Sequence, residues 1–336
     1  MRKASIYTLN GNINYGNKLQ NYAIIKILES FNYHSYTIWF DYSIKRRIKM
    51  IIKYLFPIKL KYIRERRFEK FTRKFLNRKF HKVTSHKYIV GSDQVWNCNF
   101  KSFNNSYFLP FSNAENNIAF SASFGIDEID KKYYDPYRNG LNNIKYISVR
   151  EKTGKKIVKN ITGRDDVVVM LDPTMILPRV EWEKIIKKPK KFPKKKYILN
   201  YFLGNLSKDK LDKINKFAED NNCIIINLLN PKDSFYCSDP QEFLYLEKNA
   251  FMIFTDSFHA CVFAIVFERK FLVFRREDNK ASMYSRINTL LSKFNLDNNY
   301  YENKDIKIPE MDYEKINKLL ENEREKALDF ISNALK

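Results

Sequence analysis

Residues 4–31, ASIYTLNGNINYGNKLQNYAIIKILESF, combine three local patterns that decide the fold of the first part of the chain. Residues 4–9 form a short apolar run typical of a buried strand, and residues 19–31 have the apolar spacing of a helix. The loop between them, residues 11–17, contains two glycines and three asparagines, which favour turns. This order of strand, loop and helix predicts the first unit of a parallel α/β sheet.

The same alternation of short apolar strands with helices recurs along the chain. Further strands of this first series are predicted at 33–40, 87–90, 117–120, 146–149 and 167–171. A second series has strands at 197–203, 223–229, 251–255 and 270–274, with a long terminal helix at 312–336. Two series of this kind predict two parallel, doubly wound sheets in tandem.

A very basic stretch, residues 184–196, separates the two series, since eight of its 13 residues are lysine and two are proline. We therefore predict a first domain over 1–180, with a basic insertion near 45–82, and a second domain over 181–336. Two tandem sheets leave a cleft between them, and ligands of open α/β sheets bind at the carboxyl ends of the strands. Gly16, Gly91 and Gly125 follow predicted strands, where a turn or a closely approaching ligand favours glycine.

The charge of the chain points to an anionic partner. Its 336 residues include 61 Lys and Arg against 38 Asp and Glu, a formal net charge of +23. Such a balance suits nucleic acid, an acidic membrane surface or a phosphorylated substrate. Residues 45–82 hold sixteen Lys and Arg against two Glu, interleaved with apolar residues. This segment is typical of a basic amphipathic helix pair, broken at Pro57, that rests on acidic headgroups, or of a solvated face. No nucleic-acid-binding module accompanies it, and we expect no nucleic-acid partner.

Several protein classes are disfavoured by missing patterns. The four cysteines have no CxxC spacing, so zinc sites and a disulfide framework are not expected. Residues 1–10 lack a signal-peptide pattern, and the longest apolar run, 260–267, is too short to span a membrane. We therefore expect a cytoplasmic protein. The motifs GxGxxG, GxxxxGK[ST], HExxH and GxSxG are missing, which disfavours dehydrogenase, P-loop NTPase, zinc protease and esterase functions.

His259 is the histidine whose position is most suggestive of chemistry. It lies in TDSFHA, residues 255–260, where an apolar strand gives way to an apolar helix. We expect it at the mouth of the cleft, near a helix N-terminus that favours bound anions. An imidazole there suits proton transfer near neutral pH. The alternative is a structural histidine satisfied by the backbone, with Asp256 or Ser257 as an ordinary N-cap.

Two arginines and two aspartates are also candidates. Arg150 follows an apolar strand, so its guanidinium should project at the carboxyl edge of the first sheet and bind a carboxylate or phosphate. The alternative is a salt bridge to Glu151 or Asp172. Arg286 follows the loop after the last strand and is either a second anion-binding group or a surface arginine. Asp93 and Asp172 end strands, where they could orient hydroxyl groups or act as bases, or serve only in turns.

Six ordered blocks of sequence are more specific together than any of these residues alone. The blocks are NYGNKLQNYA at 14–23, GSDQVWN at 91–97, ASFG at 122–125, SVRE at 148–151, LDPT at 171–174 and DSFHA at 256–260. In this order they resemble the polysaccharide pyruvyl transferase family, over about residues 6–291. The resemblance implies two Rossmann-like domains in a glycosyltransferase-B-like (GT-B-like) arrangement with a cleft between them.

The resemblance also implies a reaction. The donor would be phosphoenolpyruvate, the acceptor a sugar diol of a surface polysaccharide, and the product a pyruvate ketal. Members of the family use a strand-ending arginine, which corresponds here to Arg150, and an Arg-x-His motif, of which His259 is present and Ser257 replaces the arginine. We assign His259 as acid or phosphate ligand, Arg150 as the group that holds carboxylate or phosphate, and Asp93 as base or hydroxyl-orienting group.

Further residues of the matched blocks complete the expected substrate site. Arg286, Lys18 or Arg275 would supply the positive charge that Ser257 lacks. The remaining expected substrate-binding residues are Ser257 itself, Asn17, Ser123 and Asp172. No cofactor beyond the donor and no obligatory metal are expected. The expected acceptor is a sugar or a lipid-linked oligosaccharide, reached by a cytoplasmic enzyme at the inner membrane face.

Two alternatives stay open at the level of sequence. A glycosyltransferase that uses a nucleotide sugar would need the same basic cleft between two sheets, because a diphosphate is held there equally well. A protein without catalysis that binds acidic glycan or a lipid surface would depend on residues 45–82 and not on His259. Release of phosphate from phosphoenolpyruvate, or of nucleotide from a sugar nucleotide, distinguishes the two enzymes.

Overall fold

The computed structural model describes residues 2–11, 13–39, 59–101, 103–276, 284–302 and 304–336. Within these residues the chain forms two parallel β-sheets covered by helices. The strands of the first sheet are β1 (Arg2–Tyr7), β2 (Tyr33–Ile38), β3 (Arg78–Lys79), β4 (Lys87–Val90), β5 (Asn117–Ala122), β6 (Tyr146–Val149) and β7 (Val168–Val169). Those of the second are β8 (Tyr197–Tyr201), β9 (Ile224–Asn227), β10 (Met252–Thr255) and β11 (Phe271–Val273). The α/β class predicted from the alternation of strands and helices is confirmed.

Helices connect most of these strands. The α-helices of the described residues are α1 (Tyr15–Ser30), α2 (Leu60–Phe75), α3 (Tyr134–Asn142), α4 (Lys152–Thr162), α5 (Pro173–Ile176), α6 (Arg179–Glu183), α7 (Lys208–Asp220), α8 (Pro240–Asn249), α9 (Phe258–Val266), α10 (Ser285–Lys293) and α11 (Tyr313–Leu335). Each strand of the first sheet is parallel to its neighbours, as are those of the second. The carboxyl ends of all strands in a sheet therefore lie at one edge.

The order of the strands determines where each sheet can hold a ligand. The first sheet has the order β3-β2-β1-β4-β5-β6-β7, and the second has the order β11-β10-β8-β9. In the first sheet the chain changes direction between β1 and β4, and in the second between β8 and β10. A crevice opens at such a reversal, outside the carboxyl ends of the strands. Residues that directly follow β4 and β10 are therefore well placed to form a site.

The start of α1 is fixed to the second half of the chain. The Asn14 side chain accepts a hydrogen bond from the Asn17 N–H and so begins the helix. The ring of Tyr15 stacks on Phe243 of α8, with centroids 4.3 Å apart and planes 11° apart. The Tyr15 hydroxyl donates to the backbone carbonyl of Ser238 at 2.8 Å. Because Tyr15 is fully buried, the first turn of α1 is part of the contact between the two halves.

One continuous hydrophobic core joins the two sheets. Trp182 of α6 contacts both Tyr22 of α1 and Phe263 of α9, with ring centroids 5.5 and 5.0 Å apart. The terminal helix α11 returns to the first half, where Arg324 Nε donates to the carbonyl of Met175 at 2.7 Å. This shared packing holds the carboxyl edges of the two sheets close to each other.

The basic segment predicted at 45–82 is only partly described. Its first half, including Pro57, lies within 40–58, outside the described residues. In α2, Phe68 and Phe71 are buried in the shared core. The apolar side of this helix is therefore covered by protein rather than turned toward a surface. In the part of the chain that the structure describes, no helix combines the length and apolar character needed to cross a membrane.

Glu247 of α8 is a buried carboxyl group without a partner. It is fully buried, and neither of its oxygens has a hydrogen-bond partner among the described residues. Burial raises the pKa of Glu247 well above its usual value, because the charged form is penalised in the core. The group is therefore protonated in the folded chain at pH values where the unfolded chain has already lost the proton.

We predict that Glu247→Gln becomes increasingly stable relative to the native chain as the pH rises. Above pH about 4.3 the unfolded native chain binds fewer protons than the folded one, so its free energy of unfolding falls with pH. The loss is at most about 1.4 kcal/mol per pH unit and ends at the pKa of the folded state. Urea unfolding of both proteins between pH 5 and 8 measures the difference. A difference that does not change with pH contradicts the assignment of a buried neutral carboxyl.

Candidate active site

The candidate active site lies where the carboxyl edges of the two sheets meet. Asp93 follows β4, Arg150 follows β6, and Asp172 follows β7. His259 lies in the first turn of α9, directly after β10. Since β4 and β10 are the strands at which the two sheets change direction, the topology brings these four side chains to one cluster.

Asp172 is the centre of this cluster. Its Oδ2 accepts from Arg150 Nη1 at 2.5 Å and from Ser92 Oγ at 2.7 Å. Its Oδ1 accepts from the Thr174 N–H at 3.0 Å and from Thr174 Oγ1 at 2.6 Å. His259 Nε2 lies 3.7 Å from Oδ2, which is an ion-pair distance but longer than a hydrogen bond. An arginine of the first half and a histidine of the second half thus converge on one carboxylate oxygen.

Asp93 holds the other side of the Arg150 guanidinium. Its Oδ1 lies 3.4 Å from Arg150 Nη2 and accepts from the Gln94 N–H at 2.9 Å. Its Oδ2 accepts from the side-chain amide of Asn17. Asp93 itself has a φ of +76°, a left-handed conformation that aspartate tolerates better than most residues. Arg150 is therefore a buried guanidinium fixed between two carboxylates.

A second guanidinium, Arg286 of α10, lies near the same cluster. The ring of Phe258 is close to both arginines, with its centroid 4.4 Å from Arg150 Cζ and 5.8 Å from Arg286 Cζ. The Gln94 amide, with its oxygen toward Arg286, accepts from Nη2 at 2.6 Å and from Nη1 at 3.0 Å. No carboxylate of the described residues forms an ion pair with Arg286, so its charge is balanced less closely than that of Arg150.

These charges shift the pKa values of the cluster. Burial alone would raise the pKa of Asp93, but the positive charges of Arg150, His259 and Arg286 lower it overall. Burial likewise opposes ionisation of Asp172, yet its contacts with His259 and Arg150 lower its pKa far below the usual range. Both carboxylates are therefore ionised. Burial, and then repulsion from Arg150, lower the pKa of Arg286 to about 10. An anion bound beside Arg286 would relieve this destabilisation.

Gly16 explains how His259 can approach the first half so closely. A Cβ atom added at Gly16 would lie 2.1 Å from His259 Nδ1, far closer than atoms can pack. The absence of a side chain in the first turn of α1 therefore makes room for the imidazole. Because Tyr15 fixes this turn to α8, the position of His259 is set from both halves.

Several residues predicted for the substrate site have other contacts. Ser123 Oγ donates to Glu151 Oε1 at 3.0 Å, and the same oxygen accepts hydrogen bonds from the backbone N–H groups of Phe124 and Gly125. The N–H of Ser257 donates to Thr255 Oγ1 at 2.9 Å, and Ser257 begins α9 without a side-chain cap. Both serines thus stabilise the loops beneath the cluster. Two salt-bridge partners were considered for Arg150. Asp172 forms the salt bridge, whereas Glu151 accepts hydrogen bonds from residues 123–125.

Lys18 and Arg275 lie outside the cluster. Lys18 Nζ is 4.6 Å from the centroid of the Trp39 ring, and burial lowers the pKa of Lys18 to about 7. The Arg275 guanidinium carbon is 4.8 Å from the ring centroid of Tyr300. Of the three residues considered as replacements for the missing family arginine, Arg286 alone has contacts with the cluster among the described residues.

The sequence reasoning missed several members of the cluster. Ser92 and Gln94 lie in the block at 91–97, beside Asp93, and Phe258 lies between Ser257 and His259. Their positions in the matched blocks were a usable signal. Their roles as partners of Asp172 and of the two arginines depend on contacts that local sequence does not specify.

The cluster is closely packed but adjoins a more open cavity. A crevice of only about 10 Å³ remains between Arg150, Phe258 and Arg286. Thr289 of α10 borders this crevice and also a cavity of about 320 Å³ between the start of α4 and α10. The lining of that cavity includes hydroxyl, amide and charged groups of Asp127, Lys152, Thr153, Asn288, Thr289 and Ser292. Among the described residues, no three potential metal ligands lie together.

Two parallel sheets that meet at this charged cleft define a two-domain α/β protein with a GT-B-like arrangement. The family model for polysaccharide pyruvyl transferase matches residues 14–279. The chain therefore belongs to the polysaccharide pyruvyl transferase family, and it is a transferase. The resemblance recognised in the six sequence blocks is confirmed. No curated protein matches the chain significantly by sequence.

Two solved structures are similar to this chain. The UDP-GlcNAc 2-epimerase from Neisseria meningitidis, bound to UDP-GlcNAc, is 13% identical and has a TM-score of 0.50, with 100% of this chain and 99% of that chain covered. The UDP-N-acetylglucosamine 2-epimerase from Rickettsia bellii is 10% identical, with a TM-score of 0.48 and coverage of 100% and 97%. At 13% identity the likeness to the Neisseria enzyme concerns the fold alone, and it confirms the predicted GT-B-like arrangement.

We predict that Asp172→Asn lowers the free energy of unfolding by about 3 kcal/mol or more, because it removes a charge partner from a fully buried guanidinium. The matched control is Asp166→Asn, which breaks a 2.7 Å ion pair with Arg164 at a carboxylate that is 61% exposed. An exposed pair contributes about 1 kcal/mol at most. Urea unfolding at neutral pH measures both. Equal, small effects would contradict the central role of Asp172.

Proposed function

We propose that this protein transfers a pyruvyl group from phosphoenolpyruvate to two hydroxyl groups of a sugar, forming a ketal during polysaccharide synthesis. The observation that carries the proposal is the pair of guanidinium groups on Arg150 and Arg286, which both lie near the Phe258 ring beside His259. The donor bears about three negative charges in a small volume. Buried guanidinium groups suit it because they bind carboxylate and phosphate through paired hydrogen bonds.

Arg286 is the residue that takes the place of the missing family arginine in this proposal. Two carboxylates already neutralise Arg150, whereas Arg286 has an amide partner and a pKa lowered by burial. A bound phosphate or carboxylate would therefore gain most from Arg286. Ser257, which replaces the family arginine, directly precedes α9, whereas Arg286 lies on α10. The second half would therefore supply the positive charge from α10 instead of from the start of α9.

The reaction can be written with its atoms balanced. The first sugar hydroxyl bonds to the central carbon of the donor, while the methylene carbon takes up a proton from the acid-base group and becomes a methyl group. The proton that the hydroxyl loses restores the acid-base group. The bond from that central carbon to the phosphate oxygen then breaks, and inorganic phosphate leaves with the electron pair. The second hydroxyl bonds to the same carbon and releases its proton to the phosphate. The products are the ketal and one phosphate.

The residues of the cluster have distinct roles in this sequence. His259 supplies the proton to the methylene carbon or binds the phosphate, and the negative charge of Asp172 lies 3.7 Å from its Nε2. Asp93 is ionised and accepts from Asn17, and its lowered pKa suits it to orient a sugar hydroxyl by accepting a hydrogen bond. We assign the acceptor sugar to the 320 Å³ cavity that adjoins the cluster at Thr289, because hydroxyl and amide groups line it.

Binding of the donor requires movement in this proposal. The crevice of about 10 Å³ between the arginines is too small for a phosphate group. The side chains or helices around the crevice must therefore shift to admit the donor and close again around it. Closure would exclude water and strengthen the electrostatic contacts.

We predict that Arg286→Gln and His259→Asn each reduce phosphate release from phosphoenolpyruvate by at least about 100-fold. Arg286→Gln removes a positive charge that would bind the donor, and His259→Asn removes a group that would transfer a proton to it. The assay contains the purified protein, the donor and candidate acceptor glycans, and mass spectrometry detects the mass increment of the ketal. Lys18→Met is the matched control, since this cation is buried but lies away from the cluster.

Three results would contradict this proposal. They are full activity of both variants, an equal loss in Lys18→Met, and release of nucleotide from a sugar nucleotide without turnover of phosphoenolpyruvate. The third result would favour a glycosyltransferase. Melting temperatures of the three variants separate a loss of chemistry from a loss of folding.

We further predict that Gly16→Ala reduces turnover by at least about 10-fold, because the added methyl group displaces the His259 imidazole. A double-mutant cycle with His259→Asn tests the cause. If Gly16 acts only by positioning this imidazole, Gly16→Ala has little further effect once His259 is replaced. A full, additive loss in the double variant would show that the methyl group disturbs some other part of the site.

A further inference from the structure

A second charged cavity lies away from the active-site cluster. It has a volume of about 680 Å³ and lies between α2, the lysine-rich connection between the two sheets, and the loop that precedes α8. We call it the basic groove. Its lining contains Arg66, Lys70, Lys190 and Lys191, and its apolar part includes Ile63 and Phe235. A volume of this size is typical of a site for an organic ligand.

Two further cations of the groove are already neutralised. Arg67 forms ion pairs with Asp239 at 3.1 Å and with Glu242 at 2.5 Å. Lys187 lies 3.4 Å from each of the same two carboxylates. Asp239 and Glu242, the two carboxylates that line the groove, are thus both paired with Arg67 and Lys187. They do not neutralise the other cations of the groove.

The remaining four cations, Arg66, Lys70, Lys190 and Lys191, form no ion pair among the described residues. All four are exposed. Arg66 and Lys70 are one turn apart on α2, and Lys190 and Lys191 face them from the connection between the sheets. Like charges at this spacing repel one another and destabilise the folded chain slightly. A bound anion with two or more charges would remove this repulsion.

We propose that the basic groove binds a diphosphate group that carries an apolar or aromatic substituent. Four cations on two sides of one groove match the two to three charges of a diphosphate better than those of a single phosphate. Lysine and arginine are the usual ligands of phosphate oxygens. Ile63 and Phe235 provide the apolar surface on which the substituent packs.

The groove and the active site are separate but structurally connected. Ser238 lines the groove, and its backbone carbonyl accepts a hydrogen bond from the Tyr15 hydroxyl. Gly16, which follows Tyr15 in α1, packs against His259. A diphosphate-linked acceptor held in the groove would therefore lie close to the helix turn that positions the imidazole. This link to an acceptor rests on the proposed function, whereas binding of a diphosphate does not.

The test measures binding of inorganic pyrophosphate and of uridine diphosphate to the full chain by titration calorimetry, without phosphoenolpyruvate. We expect Lys190→Gln/Lys191→Gln and Arg66→Gln/Lys70→Gln each to weaken binding at least about 10-fold. The matched control is Lys194→Gln/Lys195→Gln, which removes the same charge from exposed lysines of the same connection that do not line the groove. Its affinity should stay within about twofold of the native value. Absence of pyrophosphate binding, or an equal loss in the control, would overturn the proposal.

Vesicles distinguish the source of the diphosphate. One set contains phosphatidylcholine with a polyprenyl diphosphate, and the other contains phosphatidylcholine with phosphatidylglycerol. Binding to the first set alone, lost in the groove variants, supports a lipid carrier, and binding of uridine diphosphate without binding to vesicles supports a nucleotide carrier. Equal binding to both sets that the groove variants do not change overturns the proposal in favour of general attraction to an acidic surface. His259→Asn should bind pyrophosphate normally, so failure of pyruvyl transfer and failure of the groove proposal are separable.

Discussion

The structure depends on the need to pair one buried carboxylate, that of Asp172. A carboxylate removed from water is stable only if opposite charges and hydrogen-bond donors surround it. Asp172 obtains them from Arg150, Ser92 and Thr174 in the first half, and His259 approaches the same oxygen from the second half. The contact that satisfies the buried charge thus also assembles an acid-base group and an anion-binding group at one point.

Much of this arrangement could be predicted from sequence. Strand ends can be recognised in a sequence, and the carboxyl ends of parallel strands must lie together. Asp93 and Arg150 could therefore be assigned to the edge of the first sheet and His259 to the edge of the second. Lys18 is predicted as a substrate-binding residue, but α1 is buried on nearly all sides and its sequence does not show which side of the helix faces the cleft. Tertiary packing, rather than local pattern, places Lys18 against Trp39.

Other features of the site could not be predicted from the sequence, because they depend on how separate elements pack. Arg286 has the same sequence signature as any surface arginine, and its relation to Phe258 arises only when α10 packs beside α9. Glu151 was considered as the partner of Arg150, but it satisfies backbone N–H groups of a neighbouring loop, whose need for an acceptor is a property of the folded chain. The basic composition indicated an anionic partner without showing that its cations form two separate groups, one buried at the strand ends and one lining a groove.

The attachment of Tyr15 to Phe243 and Ser238 has a consequence for how the two halves can rotate. A contact of this kind acts as a pivot, and points on a rotating body move in proportion to their distance from the axis. Gly16 directly follows Tyr15 and packs against His259, so both residues lie beside this pivot. Rotation about Tyr15 would therefore change the distance between Gly16 and His259 only a little, while residues farther from this contact moved more.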